Sequence, residues 1–216
     1  QVMIFDTRKL VETYEHQIGS FYNKQVNIGM YINRVINELN IAFDDNANKY
    51  FNQQANFSPY HSVQYCMFLY ILSKQLSAVG ETELADMTYC LNKALHSVDF
   101  YHGIALPSVF GMEHPLGSVM GRAQYSDYFF FYQGCTVGGN NQKYPAIGKY
   151  ITMFSDSKIL GNAHIGNYVI LAANTCILDE DVPDYSLVFG HSPNLTIKKR
   201  NEEEMKERFK QFWKTV

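Results

Sequence analysis

Counted in sixes, the second half of the chain carries a ladder: Ile147, Met153, Ile159, Ile165, Leu171, Ile177, Pro183 and Phe189. Seven of these eight positions are large and apolar, Pro183 being the exception. A second ladder stands two residues ahead of each rung: Ile151, Ser157, Ala163, Val169, Thr175, Asp181 and Leu187. All but Asp181 are small, β-branched or apolar. Each pair reads in, out, in, as Ala163-His164-Ile165 does, which is the period-two signature of a very short strand. Between the pairs lie corner formers: Gly161-Asn162, Gly166-Asn167, Ala173-Asn174 and Asp179. Glycine and asparagine tolerate the backbone angles of sharp corners. A constant period of six predicts a parallel β-helix built from hexapeptides, in which each inward side chain stacks on the one a full coil away. The alternative is an ordinary β-sandwich, but its strands are longer and repeat every 8–12 residues or so.

The first half reads as helical. Val26, Met30, Val35, Ile36 and Leu39 fall at helix spacing. Ser58-Pro59 predicts a helix start, cap followed by proline, from which Val63, Met67, Leu69, Tyr70 and Leu76 run to a stop near Gly80. A last helix opens on Glu81, Glu83 and Asp86, acids suited to an N-terminal dipole, and carries Leu84, Met87, Leu91 and Leu95 on one face. The fold class expected is therefore α+β: an all-helical domain over residues 1–97, the β-helix over 98–197, and an amphipathic C-terminal helix over 198–216. That last helix places Phe209, Phe212 and Trp213 on one side, to pack against the domain.

Two breaks in the hexad register stand out. Met120, Phe131 and Val137 thread as rungs if one turn near residues 126–130 is a residue short. Residues 138–146 then interrupt the ladder before Ile147 resumes it. Interruptions of a strict repeat are where binding loops are placed.

A net charge of −3 argues against a nucleic-acid binder, which would show a basic face. No apolar run approaches a membrane span, and the first residues lack the pattern of a signal peptide. Cys66, Cys90, Cys135 and Cys176 show no metal or redox spacing and read as buried free thiols of a cytoplasmic protein. The 16 Tyr and 15 Phe exceed what a small monomer normally buries, which points to oligomer contacts.

For proton-transfer chemistry near neutral pH the best-matched base is imidazole. His16, His61 and His96 lie in the helical half and read as structural or surface groups. In the second half, His164 points outward between two inward residues and His191 lies in a terminal loop. His102 has no adjacent acid, whereas His114 follows Glu113 and is held by Pro115. From the residues alone the choice stays open.

The run Ser157-Lys158-Ile159-Leu160-Gly161-Asn162, followed by Ile165-Gly166, resembles the core of the hexapeptide-repeat acyltransferases, most closely the serine O-acetyltransferases. That resemblance, which covers roughly residues 98–198, implies left-handed coils, acetyl-CoA as acyl donor, no metal, and a homotrimer or dimer of trimers joined through the helices. The segment 98–114 aligns without a gap, which places the family's general base on His114, its acidic neighbour on Glu113 and a substrate-binding aspartate on Asp99. Gln133-Gly134-Cys135-Thr136-Val137-Gly138-Gly139 matches the glycine pair ahead of the family's active-site loop. By position Gly139, Ser155, Ala173, Gly190 and Pro193 would line the CoA groove, with Lys198 near its phosphates. The loop departs from the family: where an Arg-His-Pro contacts the serine, this chain has Lys143-Tyr144-Pro145. The tail departs too, ending on Val216 instead of the isoleucine that docks a sulfhydrylase. The function expected is direct acetyl transfer to a hydroxyl. Serine is one acceptor class, and O- or N-acetylation of a sugar or amino sugar of a surface polysaccharide precursor is the alternative. A non-catalytic β-helix scaffold is the reading of a different class.

Overall fold

The computed structural model describes residues 3–51 and 56–216. Four helices come first: α1 (Thr7–Tyr22), α2 (Ile32–Asp44), α3 (Ser62–Ala78) and α4 (Thr82–His96). Thirteen short strands follow: β1 (Phe110–Met112), β2 (Val119–Met120), β3 (Gln124–Tyr125), β4 (Phe129–Phe131), β5 (Thr136–Gly138), β6 (Ala146–Ile147), β7 (Ile151–Met153), β8 (Lys158–Leu160), β9 (His164–Ile165), β10 (Val169–Leu171), β11 (Cys176–Leu178), β12 (Ser186–Phe189) and β13 (Thr196–Lys199). Helix α5 (Glu202–Phe209) closes the order. The strands build three sheets, β1-β4-β7-β10-β12-β13, β11-β8-β5-β2 and β3-β6-β9, which the chain visits in rotation. All pairings are parallel except β12 with β13. This is the β-helix that the hexad pattern predicts, within an α+β chain.

The register follows the rungs. Ile159 pairs with Ile177 and Ile147 with Ile165, both eighteen positions apart (177 − 159 and 165 − 147). Val137 pairs with Ile159 twenty-two positions on (159 − 137), so the interruption at 138–146 adds four residues to one coil as an outward loop. The short step lies earlier than the pattern placed it, between Met120 and Tyr125. Gly121 makes it: its N–H donates to Val137 O at 2.7 Å, and a Cβ there would stand 2.7 Å from that same oxygen. The last coil is also short. Val182 and Val188 are the inward residues, pairing with Ile165 and Leu171, while Pro183 and Phe189 are exposed. Asp179, Asp181 and Asp184 accept from the backbone N–H groups of Asn162, His164 and Asn167, so carboxylates satisfy these three donors of the coil below.

In the helical half the sequence pattern missed two starts. Val26 and Met30 precede α2, and Met30 is exposed. Helix α3 begins at Ser62, three residues after Pro59, with the His61 imidazole as its N-cap acceptor for Gln64 N–H. Residues 58–61 form a turn instead, where Ser58 Oγ accepts the Tyr60 N–H. Buried residues run almost without interruption along α3 from Val63 to Ser73, because other elements cover every side of it. Its Tyr70 hydroxyl donates to Ile104 O at 2.6 Å and accepts the Leu106 N–H, and its ring meets Phe110 edge-on. One continuous core therefore runs from the helices into the β-helix.

The tail differs from expectation at its start. Lys198 and Lys199 belong to β13, and the helix opens only at Glu202, capped by Asn201. From there Met205, Phe209, Phe212 and Trp213 cover the outer face of the first sheet, over Phe130 and Ile170. Beside them stands a ladder of tyrosines, Tyr128, Tyr150, Tyr168 and Tyr185, one per coil, with ring spacings of 4.2, 4.4 and 5.5 Å. All four have φ between 55° and 68°, a left-handed corner that side chains rarely adopt. Stacking and the cover of Phe209 and Trp213 stabilise it. Much of the aromatic surplus thus serves the chain's own packing. The cysteines also divide: Cys66 and Cys135 are buried, Cys176 is half-buried and Cys90 is exposed on α4.

Trp213 is fully buried, so Trp213→Ala is expected to cost about 3–5 kcal/mol of stability, as large-to-small core changes do. Urea unfolding measures this, and a loss below about 1 kcal/mol would show that the tail does not seal the sheet.

Candidate active site

His114 occupies the turn that joins β1 to β2. It has φ 48°, and its side chain is exposed. Pro115 beneath it is buried and accepts the Ser118 N–H, which fixes the turn. Glu113 does not face His114 as a partner. Its carboxylate accepts a 2.6 Å hydrogen bond from Asn48 Nδ2. Tyr132 stands on it as well: burial, and then the Glu113 charge, push that phenol up to about 12. Asn48 comes from the loop after α2, which no local pattern around residue 113 could have revealed. The same loop pins the tail, through Ala47 N–H to Phe212 O and Thr215 N–H to Asp45 Oδ1.

Asp99 extends the second sheet, pairing with Val119 beside the 114–117 turn. Its carboxylate accepts from Tyr89 at 2.6 Å and Lys93 at 2.8 Å, both on α4. Burial opposes its ionisation, but these two donors outweigh that and hold its pKa below the ordinary value. His102, without an acid in its sequence neighbourhood, acquires one in space. Its Nε2–H donates to Asp86 Oδ1 at 2.9 Å, and the ring is buried, with Nδ1 unpartnered among the described residues.

The groove-lining positions divide between two edges of the second sheet. Ser155 and Ala173 lie at the edge shared with the first sheet, on the same column of corners as the 114–117 turn. Along it Gly134 N–H donates to Leu116 O, Asp156 N–H to Gln133 O and Asn174 N–H to Ser155 O. Gly190 continues this edge, its carbonyl accepting the Cys176 N–H, with exposed Pro193 just beyond. Lys198 lies farther along, its ammonium 5.3 Å from the Phe189 ring centre. Gly139, Lys143 and Tyr144 stand at the opposite edge, after β5. A three-residue strand spans about 10 Å, so His114 and this loop do not meet within one chain. Gly139 is required there: a Cβ would lie 2.6 Å from the Tyr144 ring.

The loop also parts its two side chains. Lys143 lines a cleft with Asn140, Asn141, Asn162 and Asp179. Asp179 is held below its ordinary pKa by hydrogen bonds from Asn162 N–H and Asn140, with the Lys143 charge adding to them. Tyr144 turns into another cleft, with Arg122, Gln124 and His164. Among the described residues, no three or more His, Cys, Asp or Glu side chains converge as a metal site would require, and no helix is long and apolar enough to cross a membrane.

Comparison with known proteins shows which chains this one is similar to. No protein-family model matches the chain. A serine acetyltransferase of Synechococcus elongatus is 31% identical over 105 residues, covering 46% of this chain and 43% of that enzyme. One of Staphylococcus xylosus is 25% identical over 167 residues, covering 74% of this chain and 75% of its own. Among solved structures, the serine acetyltransferase of Neisseria gonorrhoeae matches with a TM-score of 0.70 at 17% identity, covering 92% of this chain and 83% of that one. A serine acetyltransferase in complex with CoA matches at 0.61 and 19% identity, over 89% of this chain and 95% of that one. The chain is similar in sequence to serine acetyltransferases and shares their fold. Its match spans less than half of the cyanobacterial enzyme, and the structural likeness, at such low identity, speaks for the fold.

For this serine acetyltransferase-like chain the anchoring of Asp99 is testable through pH. A carboxylate whose folded pKa is depressed adds stability that is present above its unfolded value, about 3.9, and is lost as pH falls through the folded one. Asp99→Asn is therefore expected to cost about 0.2–1 kcal/mol at pH 7, the range of a partly exposed pair, and progressively less as the medium is acidified below pH 4. Urea unfolding at pH 7 and pH 3 gives the comparison. A pH-independent difference would mean that ionisation of Asp99 contributes nothing.

Proposed function

We propose that the chain is an acetyl-CoA-dependent O-acetyltransferase with His114 as general base. The observation that carries this reading is the exposed His114 on one continuous edge with Ser155, Ala173 and Gly190, in a chain whose relatives are named serine acetyltransferases. A neighbour of the same fold has been solved with CoA, which supports acetyl-CoA as the donor. His114 takes the proton of the acceptor hydroxyl as that oxygen attacks the thioester carbonyl. The C–S bond then breaks, and the proton passes to the departing CoA sulfur. Backbone N–H groups near Gly138 and Gly139 would meet the developing oxyanion.

Because those glycines stand on the far edge from His114, this reading needs a second copy of the chain. The loop of one protomer would close over the His114 edge of its neighbour, in a trimer or a dimer of trimers. Within one chain Glu113 accepts from Asn48 and Asp99 from Tyr89 and Lys93, so both carboxylates have partners of their own.

The acceptor is a small hydroxyl compound. Lys143 faces Asp179 and not Tyr144's cleft, so the loop offers no arginine-like fork to a free amino acid at that position. This favours a sugar or amino sugar over L-serine.

His114→Ala is expected to lower kcat by about 10²–10⁴, the usual worth of a general base, with acetyl-CoA affinity unchanged. Release of CoA thiol with L-serine, amino sugars and nucleotide-linked sugars measures it, and a folded variant of normal activity would move the base elsewhere. Light scattering should give the mass of a trimer or hexamer. A monomer at working concentration would be incompatible with a shared site.

A further inference from the structure

The cleft beneath Tyr144, about 380 Å³ in volume, lies on the outer face of the third sheet. Gln124, Ala146 and His164 pair across β3, β6 and β9 and form one outward column there. Its lining contains no Asp or Glu. Arg122 reaches over it, with Nη1 3.5 Å from the Tyr144 hydroxyl and the guanidinium 5.9 Å from the ring centre. Among the described residues Arg122 takes part in none of the ion pairs. A guanidinium is permanently charged, and its planar fork matches carboxylate or phosphate oxygens two at a time.

His164 is aimed by its neighbour one coil on. Its Nδ1–H donates to Asp181 Oδ1 at 2.8 Å, and the same oxygen accepts the His164 backbone N–H at 3.2 Å. This fixes Nδ1 as a donor and leaves Nε2 as the free ring atom, which donates to a bound anion when the ring is protonated. Around one cleft stand a cation with unused donors, a phenol, an amide and an oriented imidazole. Together they suit a small anion carrying hydrogen-bond acceptors.

We propose that the cleft of Arg122, Tyr144 and His164 is an anion subsite that takes the carboxylate or phosphate of the acetyl acceptor. This rests on the transferase reading above, and it assigns to Arg122 and His164 the recognition that Lys143, turned toward Asp179, does not supply. A carboxylate would come from an amino acid. A phosphate would come from a nucleotide-linked sugar.

Calorimetric titration of the full chain with two probes, L-serine and uridine diphosphate, tests the proposal and separates the sources. One probe is expected to bind, and Arg122→Gln and His164→Asn should each weaken it about tenfold or more, as loss of a charge-assisted hydrogen bond does. Acetyl-CoA should bind both variants as it binds the parent. Failure of both probes to bind the parent, or equal binding by parent and variants, overturns the subsite. Acetyl transfer assayed in parallel keeps the two readings apart. Transfer with an unchanged acceptor KM in both variants removes the subsite and leaves the transferase. Variant-sensitive probe binding without transfer to any acceptor removes the transferase and leaves an anion site.

Discussion

Strands of two to four residues have no stability alone, and in this chain each is held by the coils above and below it. Coil-on-coil stacking is the constraint on which the remainder depends. Parallel pairing supplies the backbone hydrogen bonds, and the columns of inward side chains remove apolar surface from water. Because the same three corners recur every coil, a residue at a given corner is stacked on its counterpart. The fold thereby converts sequence spacing into straight edges, along which the candidate site residues stand.

Departures from the period do the positioning. Four extra residues in one coil become the loop of Lys143 and Tyr144, and a missing residue in the last coil draws three aspartates onto the coil below. One of these, Asp181, orients His164, and another, Asp179, accepts from Asn140 of the loop. A stack must end as well as repeat. Antiparallel β13 pairs the last strand's open edge, and the tail then seals the first sheet. The second and third sheets carry the two clefts and the candidate base.

The tail and the candidate base are also joined through a short path. Asp45 and Ala47 bind the tail, and Asn48, one residue further along the same loop, holds Glu113 next to His114. The loop between α2 and α3 is thus a structural element of the candidate site, although its residues resemble nothing catalytic. Glu113 gains a fixed position from it.

Much was legible in the residues because a β-helix is a local code. The ladder from Ile147 to Ile177, the outward His164, the loop at 138–146 and the apolar side of the tail all follow from spacing, since inward and outward alternate with the backbone itself. Offsets of a single residue were not legible. Val182 replaces Pro183 as a rung, and the short step lies at Gly121, because backbone crowding decides where a corner can tighten. Partners brought from distant segments were hidden for a different reason. Asn48 beside Glu113, Asp86 beside His102, Tyr89 and Lys93 around Asp99, and Arg122 over Tyr144 are set by how helices and coils pack together. Spacing along one segment holds no record of that. The sequence by itself determined which residues face in, which face out and where the repeat breaks. Only the tertiary structure decided which outward groups share an edge or a cleft, since that depends on packing between elements far apart in the chain.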